Sequence, residues 1–202
     1  EVMLGGFGNA EVKPEGSGVV YEDAQETFTA RYTHETVALA FALTEEAVED
    51  NLYDKISTRY TKALARSMAN TKQVKAANIL NRGFNSSYLG GDDKELLATD
   101  HTTMAGDVKN ELTTAADLNE TSLEQALIDV AGMKDERGLK IALRAVKMII
   151  PVNLQFVAER LMKSAGRVGT ADNDINAIKS MGMVPQGYVV NNFLTDTDAW
   201  FL

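Results

Sequence analysis

A chain of 202 residues, 45% hydrophobic and 24% charged, has the makeup of a folded soluble protein of one domain or two small ones. Its formal charge of −9 disfavours a general nucleic-acid binder, and the absence of Cys excludes disulfides and thiolate metal sites. The longest apolar runs, Val37–Leu43 and Ala145–Val152, are far too short to cross a bilayer, so no membrane partner is expected. Trp200 is the single Trp and small residues abound, which predicts a thin or divided core. The opening Glu1-Val2-Met3-Leu4-Gly5-Gly6 has neither a basic leader nor an apolar run long enough for a signal peptide. With no initiator Met and an apolar end at Leu202, both ends read as cuts within a longer product.

Residues 1–43 have an extended character. Gly5, Gly6, Gly8, Gly16 and Gly18 loosen the opening. Thr27–Tyr32 and Thr36–Leu43 then carry strand signals, the second alternating through Val37, Leu39, Phe41 and Leu43. A two-stranded ribbon with so few large apolar residues is marginal in water unless it lies on a neighbour. Thr44 can cap a long helix running to about Arg82 and closed by Gly83, with an apolar stripe of Val48, Leu52, Ile56, Tyr60, Ala63, Leu64 and Met68. Such a helix would be on the order of 55 Å long, with a bend expected near Asn70. Its acids come first (Glu45, Glu46, Glu49, Asp50, Asp54) and its bases later, an order that a helix macrodipole favours. Beyond it, Gly90-Gly91-Asp92-Asp93 reads as a turn and Leu96–Thr102 as a short helix or strand.

From Thr121 the signals sharpen. Thr121 with Glu124 forms a capping-box pattern ahead of Leu123, Ala126, Leu127, Val130 and Ala131. Gly138 closes a polar turn from Asp135, and two strand-length runs follow, Leu139–Leu143 and Ala145–Ile150. Pro151 stops the second. Asn153 can cap a helix lined by Leu154, Val157, Ala158, Leu161 and Ala165, with Gly166 as its exit. Arg167–Asn176 reads as a loop, Ile178 and Met181 as an apolar turn, Gly187–Val190 as a strand, and a last strand begins near Ala199.

Catalytic and ligand patterns are sparse. His34 and His101 stand apart from carboxylate clusters in sequence, which favours simple surface or strand-edge imidazoles. No Gly-x-Ser-x-Gly elbow or phosphate loop occurs, so no catalytic residue, cofactor or metal is assigned. Asp172-x-Asp174-x-Asn176 begins like a calcium loop, but Ala177 stands where Gly is needed and Met183 where a bidentate Glu belongs; capping or turn roles are expected instead. Asp196 and Asp198 read as a solvated hairpin edge rather than a catalytic carboxylate pair. One constellation stands out: Lys55, Arg59, Lys62 and Arg66 share a helix face, and no acid lies between Lys55 and Arg82. It is either a solvated face opposite the core stripe or a contact for an acidic neighbour or packaged DNA.

Three runs, ETSLEQALIDVAGMKDERGLKI, KMIIPVNLQFVAERLMKSAGRVGTADNDINAI and VVNNFLTDTDAWFL, resemble the core of major capsid (coat) proteins of tailed bacteriophages, and most of all the Mu-like prophage head subunits. The likeness is dense over the C-terminal two-fifths and weaker upstream. It implies an α+β chain of the Hong Kong 97-type fold. Residues 1–43 would hold an N-terminal segment and an extended β-ribbon loop, 44–120 a peripheral domain with a long spine helix, and 121–202 an axial α/β domain, incomplete at its C-terminus. The implied role is structural and not enzymatic: self-assembly into pentamers and hexamers that form an icosahedral head around the double-stranded DNA genome. The implied partners are further copies of the chain, scaffold, portal or decoration proteins, and packaged DNA through non-specific contact only. The implied location is the virion capsid, after assembly in the host bacterial cytoplasm. The alternatives are a fragment of a maturation protease–coat fusion and another virion component, such as a tail or portal-associated subunit.

Overall fold

The structure, a computed structural model, describes residues 2–50, 56–167 and 174–202. It divides into two compact units, one of Glu1–Arg31 with Asn81–Leu202 and one of Tyr32–Leu80. Residues 81–120 therefore fall in the same compact unit as 121–202.

The core of the larger unit is built on β5 (Met148–Ile150), the centre of a small sheet. β5 pairs in parallel with β6 (Tyr188–Val190), Met148 opposite Tyr188 and Ile150 opposite Val190. On its other side Ile149 exchanges both backbone hydrogen bonds with Phe201, at 2.8 and 3.0 Å. With both edges occupied, Met148 and Ile150 are wholly buried. A parallel pair needs a crossover, and here a 3-10 turn (Val152–Leu154), α4 (Gln155–Lys163) and α5 (Ala177–Ser180) supply it. Ala158 and Leu161 on α4 and Ile178 on α5 share one buried apolar cluster with the strand. Leu123 and Leu127 of α3 (Glu120–Ala131) join the same cluster. Trp200 packs at its edge and donates from Nε1 to the Ala116 carbonyl at 3.1 Å.

Several expectations change here. The capping box of α3 is made by Asn119 and Ser122, two residues ahead of the Thr121–Glu124 pair. Asn119 Oδ1 accepts from the Ser122 amide at 2.9 Å, and Ser122 Oγ accepts from the Asn119 amide at 3.0 Å. Both pairs obey the same spacing, so only the backbone decides between them. The two runs Leu139–Leu143 and Ala145–Ile150 yield one three-residue strand, Met148–Ile150. The reason is Ala142, held at φ +48°, a left-handed turn that interrupts extended pairing. Ile141, Leu143 and Val146 are left exposed. Asn153 does not cap α4, whose N-cap is Leu154 without a side-chain bond. Ala165, expected on the buried face, is exposed beyond the helix end. The expected last strand is a single bridge at Phe201.

Turn chemistry holds up better. Gly138, at φ +84°, closes the Asp135 turn by donating its amide to the Asp135 carbonyl at 3.0 Å. Asp135 Oδ1 also accepts from the Arg137 and Leu139 amides. The Leu96–Thr102 region ends in a hairpin of β3 (His101–Thr103) and β4 (Gly106–Val108). At the start of the chain, β1 (Val2–Leu4) pairs antiparallel with β2 (Glu26–Thr29).

In the smaller unit, α1 (Glu45–Glu49) is followed by α2, which runs from Ile56 to Asn81. Whether one unbroken helix joins them, with Leu52 in its stripe, lies outside the described residues. α2 alone has 26 residues, about 39 Å at 1.5 Å per residue. The alternating run Val37–Leu43 forms no strand: among the described residues it has no ladder partner, and the Phe41 ring instead meets Tyr60 of α2 at 5.9 Å between centroids. Lys75 pairs with Glu35, a second tie between this run and the helix.

Candidate assembly surfaces

The basic stripe is placed where solvent reaches it. Arg59, Lys62 and Arg66 are all exposed on α2, while Lys55 lies outside the described residues. Among the described residues none of these three forms an ion pair, and α2 itself contains no acid. The helix also has no base in its last turn. Its charge therefore does not serve the C-terminal end of the dipole, as the acids-first, bases-last order had suggested; it sits along the body of the rod. Leu64 and Met68 are partly covered, whereas Tyr60, expected in the apolar stripe, is half exposed and Ala63 exposed.

An oppositely charged surface lies at the hairpin formed by β1 and β2. The Gly5 amide donates to the Gln25 carbonyl at 2.8 Å, and the chain between them leaves as an arm. Every residue from 9 to 26 is exposed. The arm turns at Pro14–Ser17, where the Ser17 amide and hydroxyl both donate to the Pro14 carbonyl. It carries Glu11, Glu15, Glu22 and Asp23, with Glu26 just beyond its base on β2, against a single Lys13. It also displays Val12 (94% exposed) and Tyr21 (92%), large apolar groups without cover. Four acids and bare aliphatics on one projecting strip form a surface suited to a partner rather than to water.

The remaining candidates sort cleanly. His34 is exposed. His101 is not isolated: its Nδ1 lies 2.6 Å from Asp92 Oδ2, with both side chains largely covered. An ionised carboxylate can only accept, so Nδ1 carries the proton. Among the described residues, Nε2 is buried without a partner. Burial opposes the charge on Asp92, but hydrogen bonds from His101 and from the Asp92 and Lys94 amides hold its carboxyl below the ordinary value. The pairing escapes sequence reading because eight residues of bend and irregular chain lie between the two, a distance at which no local rule operates. Asn176 is a capping residue, as expected, accepting at Oδ1 from the Lys179 amide at 3.2 Å; Asp172 lies outside the described residues. Asp196 and Asp198 are solvent-exposed, as expected, but among the described residues they lie in an irregular stretch and not on a hairpin edge. Their hydrogen bond lowers Asp196 and raises Asp198. Among the described residues no cluster of His, Asp and Glu could hold a metal, and no helix is long and apolar enough to cross a membrane.

A family model described as "Phage capsid protein" matches residues 26–202. Two solved structures share the fold. The first is the bacteriophage JBD30 capsid, at 13% identity and a TM-score of 0.71, covering 96% of this chain and 85% of that one. The second is the JBD30 capsid decorated with minor capsid protein trimers, at 14% identity and 0.63, with the same coverage. No curated protein matches the chain.

Proposed function

Because this chain belongs to the phage capsid protein family, we propose that it acts by tiling: each copy presents an acidic arm and a basic rod, and each is completed by another copy. The chain is a structural major capsid protein with the tailed-phage coat fold. The Mu-like subtype rests on the quoted runs alone. The functional division proposed is an arm-bearing segment 1–43, a peripheral segment 44–120 with α2 as spine helix, and an axial segment 121–202. Copies gathered around their axial segments form pentamers and hexamers.

The observation that carries this reading is the arm, exposed from residue 9 to 26 with its acids and bare side chains. A segment that buries nothing within its own chain has no folding reason to hold valines and a tyrosine in water. Laid on a neighbour, those groups gain roughly 25 cal/mol for each Å² of apolar surface covered. The acids meet Arg59, Lys62 and Arg66 of that neighbour, and Lys55 extends the same stripe by sequence. Arm and rod are different patches, so the contact is heterologous and repeats around a ring until it closes. At about 1,600 Å² per standard interface, several such contacts hold a subunit more firmly than its own fold does. With its bases engaged by protein and a formal charge of −9, the shell touches packaged DNA only weakly and without sequence preference. Decoration trimers of the kind seen on the JBD30 capsid, scaffold and portal proteins complete the partner set; the site of action is the virion capsid, assembled in the bacterial cytoplasm.

Charge swapping tests the pairing. Arg59→Glu with Arg66→Glu should abolish closed shells while leaving the helical signal unchanged, and Glu11→Lys with Glu15→Lys should do the same. Combining the two sets should restore shells seen by electron microscopy. Normal particles that lack DNA from the helix variant would assign the stripe to the genome instead.

A further inference from the structure

We propose that the Asp135–Gly138 turn is the mount that sets the direction of the arm, with Arg137 as its positioning residue. The Arg137 side chain is only 17% exposed and grips both ends of the arm at once. Its Nε donates to the Gly6 carbonyl at 2.7 Å where the arm leaves. Its Nη1 lies 3.3 Å from Glu22 Oε1, and its Nη2 donates to the Asp23 carbonyl at 3.5 Å, where the arm returns. Glu136 completes the grip, accepting at Oε1 from the Gly6 amide at 2.5 Å. A Cβ at Gly6 would meet that same oxygen at 3.0 Å, so glycine lets the backbone come this close. Glu22 in turn accepts from the Gly8 amide at 2.8 Å.

The turn is itself immobilised. Asp135 Oδ1 holds the Arg137 and Leu139 amides, the Asp135 amide donates to the Leu139 carbonyl at 2.8 Å, and the Ala105 amide donates to the Glu136 carbonyl at 3.1 Å. The arm base is thus fastened by charged groups to a rigid turn next to the β3–β4 hairpin, while the stretch between its two ends, residues 9–21, is exposed throughout. β1 and β2 cannot do this alone, since a short hairpin with a register irregularity is a weak anchor. A guanidinium, with its planar fork of donors, reaches two carbonyls and a carboxylate at separate points better than a single ammonium does. The role in shell geometry rests on the tiling reading above; the fastening itself does not.

Hydrogen exchange on the full chain separates the two. Arg137→Ala should raise exchange at the Gly5, Gly6 and Gly8 amides by about tenfold or more, the loss expected for charged hydrogen bonds, and leave Leu123 and Ile150 unchanged. Arg137→Lys should restore part of the protection but not all. Shells from Arg137→Ala should be open or irregular. If Arg137→Ala does not fold, Glu136→Ala, which removes the Gly6 acceptor alone, should give the same rise at Gly6. Unchanged arm exchange in a folded variant overturns the mount. Closed, regular shells from a variant with a freed arm overturn its part in assembly. Failure of the unaltered chain to form shells under any condition would sink the tiling reading and leave the exchange result to decide the mount.

Discussion

At Asp92, burial works against the carboxylate, while the His101 hydrogen bond and the local amides favour the charged form and prevail. A carboxyl lowered in the folded state stabilises above its ordinary value of 3.8 and loses that contribution as the pH falls through the lowered value. Asp92→Ala should therefore cost about 1–3 kcal/mol near neutrality, the usual toll of stranding a covered partner, and should flatten the acid limb of a Tm-against-pH curve. Glu111 has the opposite sign: burial pushes it up, and the Glu95 charge adds to that. Its burden appears as the pH rises past its ordinary value of 4.5, where the unfolded chain ionises more readily. Glu111→Gln should raise Tm at pH 7 and leave it unchanged at pH 3.

Among the elements, the two asparagine caps differ in what they leave behind. Asn119 satisfies one α3 amide at a partly open helix end, so Asn119→Ala should cost about 1 kcal/mol in urea unfolding. Asn176 is 4% exposed and serves two helices: its Nδ2 donates to the Leu161 and Ser164 carbonyls at the end of α4, while its Oδ1 caps α5. Asn176→Ala strands buried carbonyls as well as an amide and should cost more than Asn119→Ala, about 1–3 kcal/mol. Equal losses for the two variants would mean that the α4–α5 junction relaxes to admit water. The crossover that carries β5 to β6 depends on that junction, so the same side chain holds the sheet's topology in place.

For the whole molecule, the tiling proposal implies that an acidic chain whose α2 bears Arg59, Lys62 and Arg66 outside any described ion pair repels its copies at long range and attracts them only in register. Steering of that kind is screened at a Debye length of about 10 Å in 0.1 M salt and about 3 Å in 1 M. The rate of shell formation, followed by light scattering, should fall as NaCl rises from about 0.05 to about 0.5 M. Apolar arm burial should keep finished shells intact over the same range. A rate insensitive to salt would remove the arm–rod charge match from the assembly step.

Local chemistry was legible in the residues themselves. The stripes of α3 and α4, the Asp135–Gly138 turn, the Pro151 stop, the Asn176 cap and the basic face of α2 follow from groups within a few positions of each other. The resemblance of three runs to coat proteins agrees with the family that covers residues 26–202. Tertiary structure alone decided which of two legal capping boxes forms, that Ala142 breaks a strand-like run, and that Val37–Leu43 finds a helix instead of a strand. It alone brought Asp92 to His101 and Arg137 to Gly6. Periodicity and turn propensity arise within one turn of chain, whereas pairing across 131 positions depends on where the whole path returns, which no window of neighbours encodes.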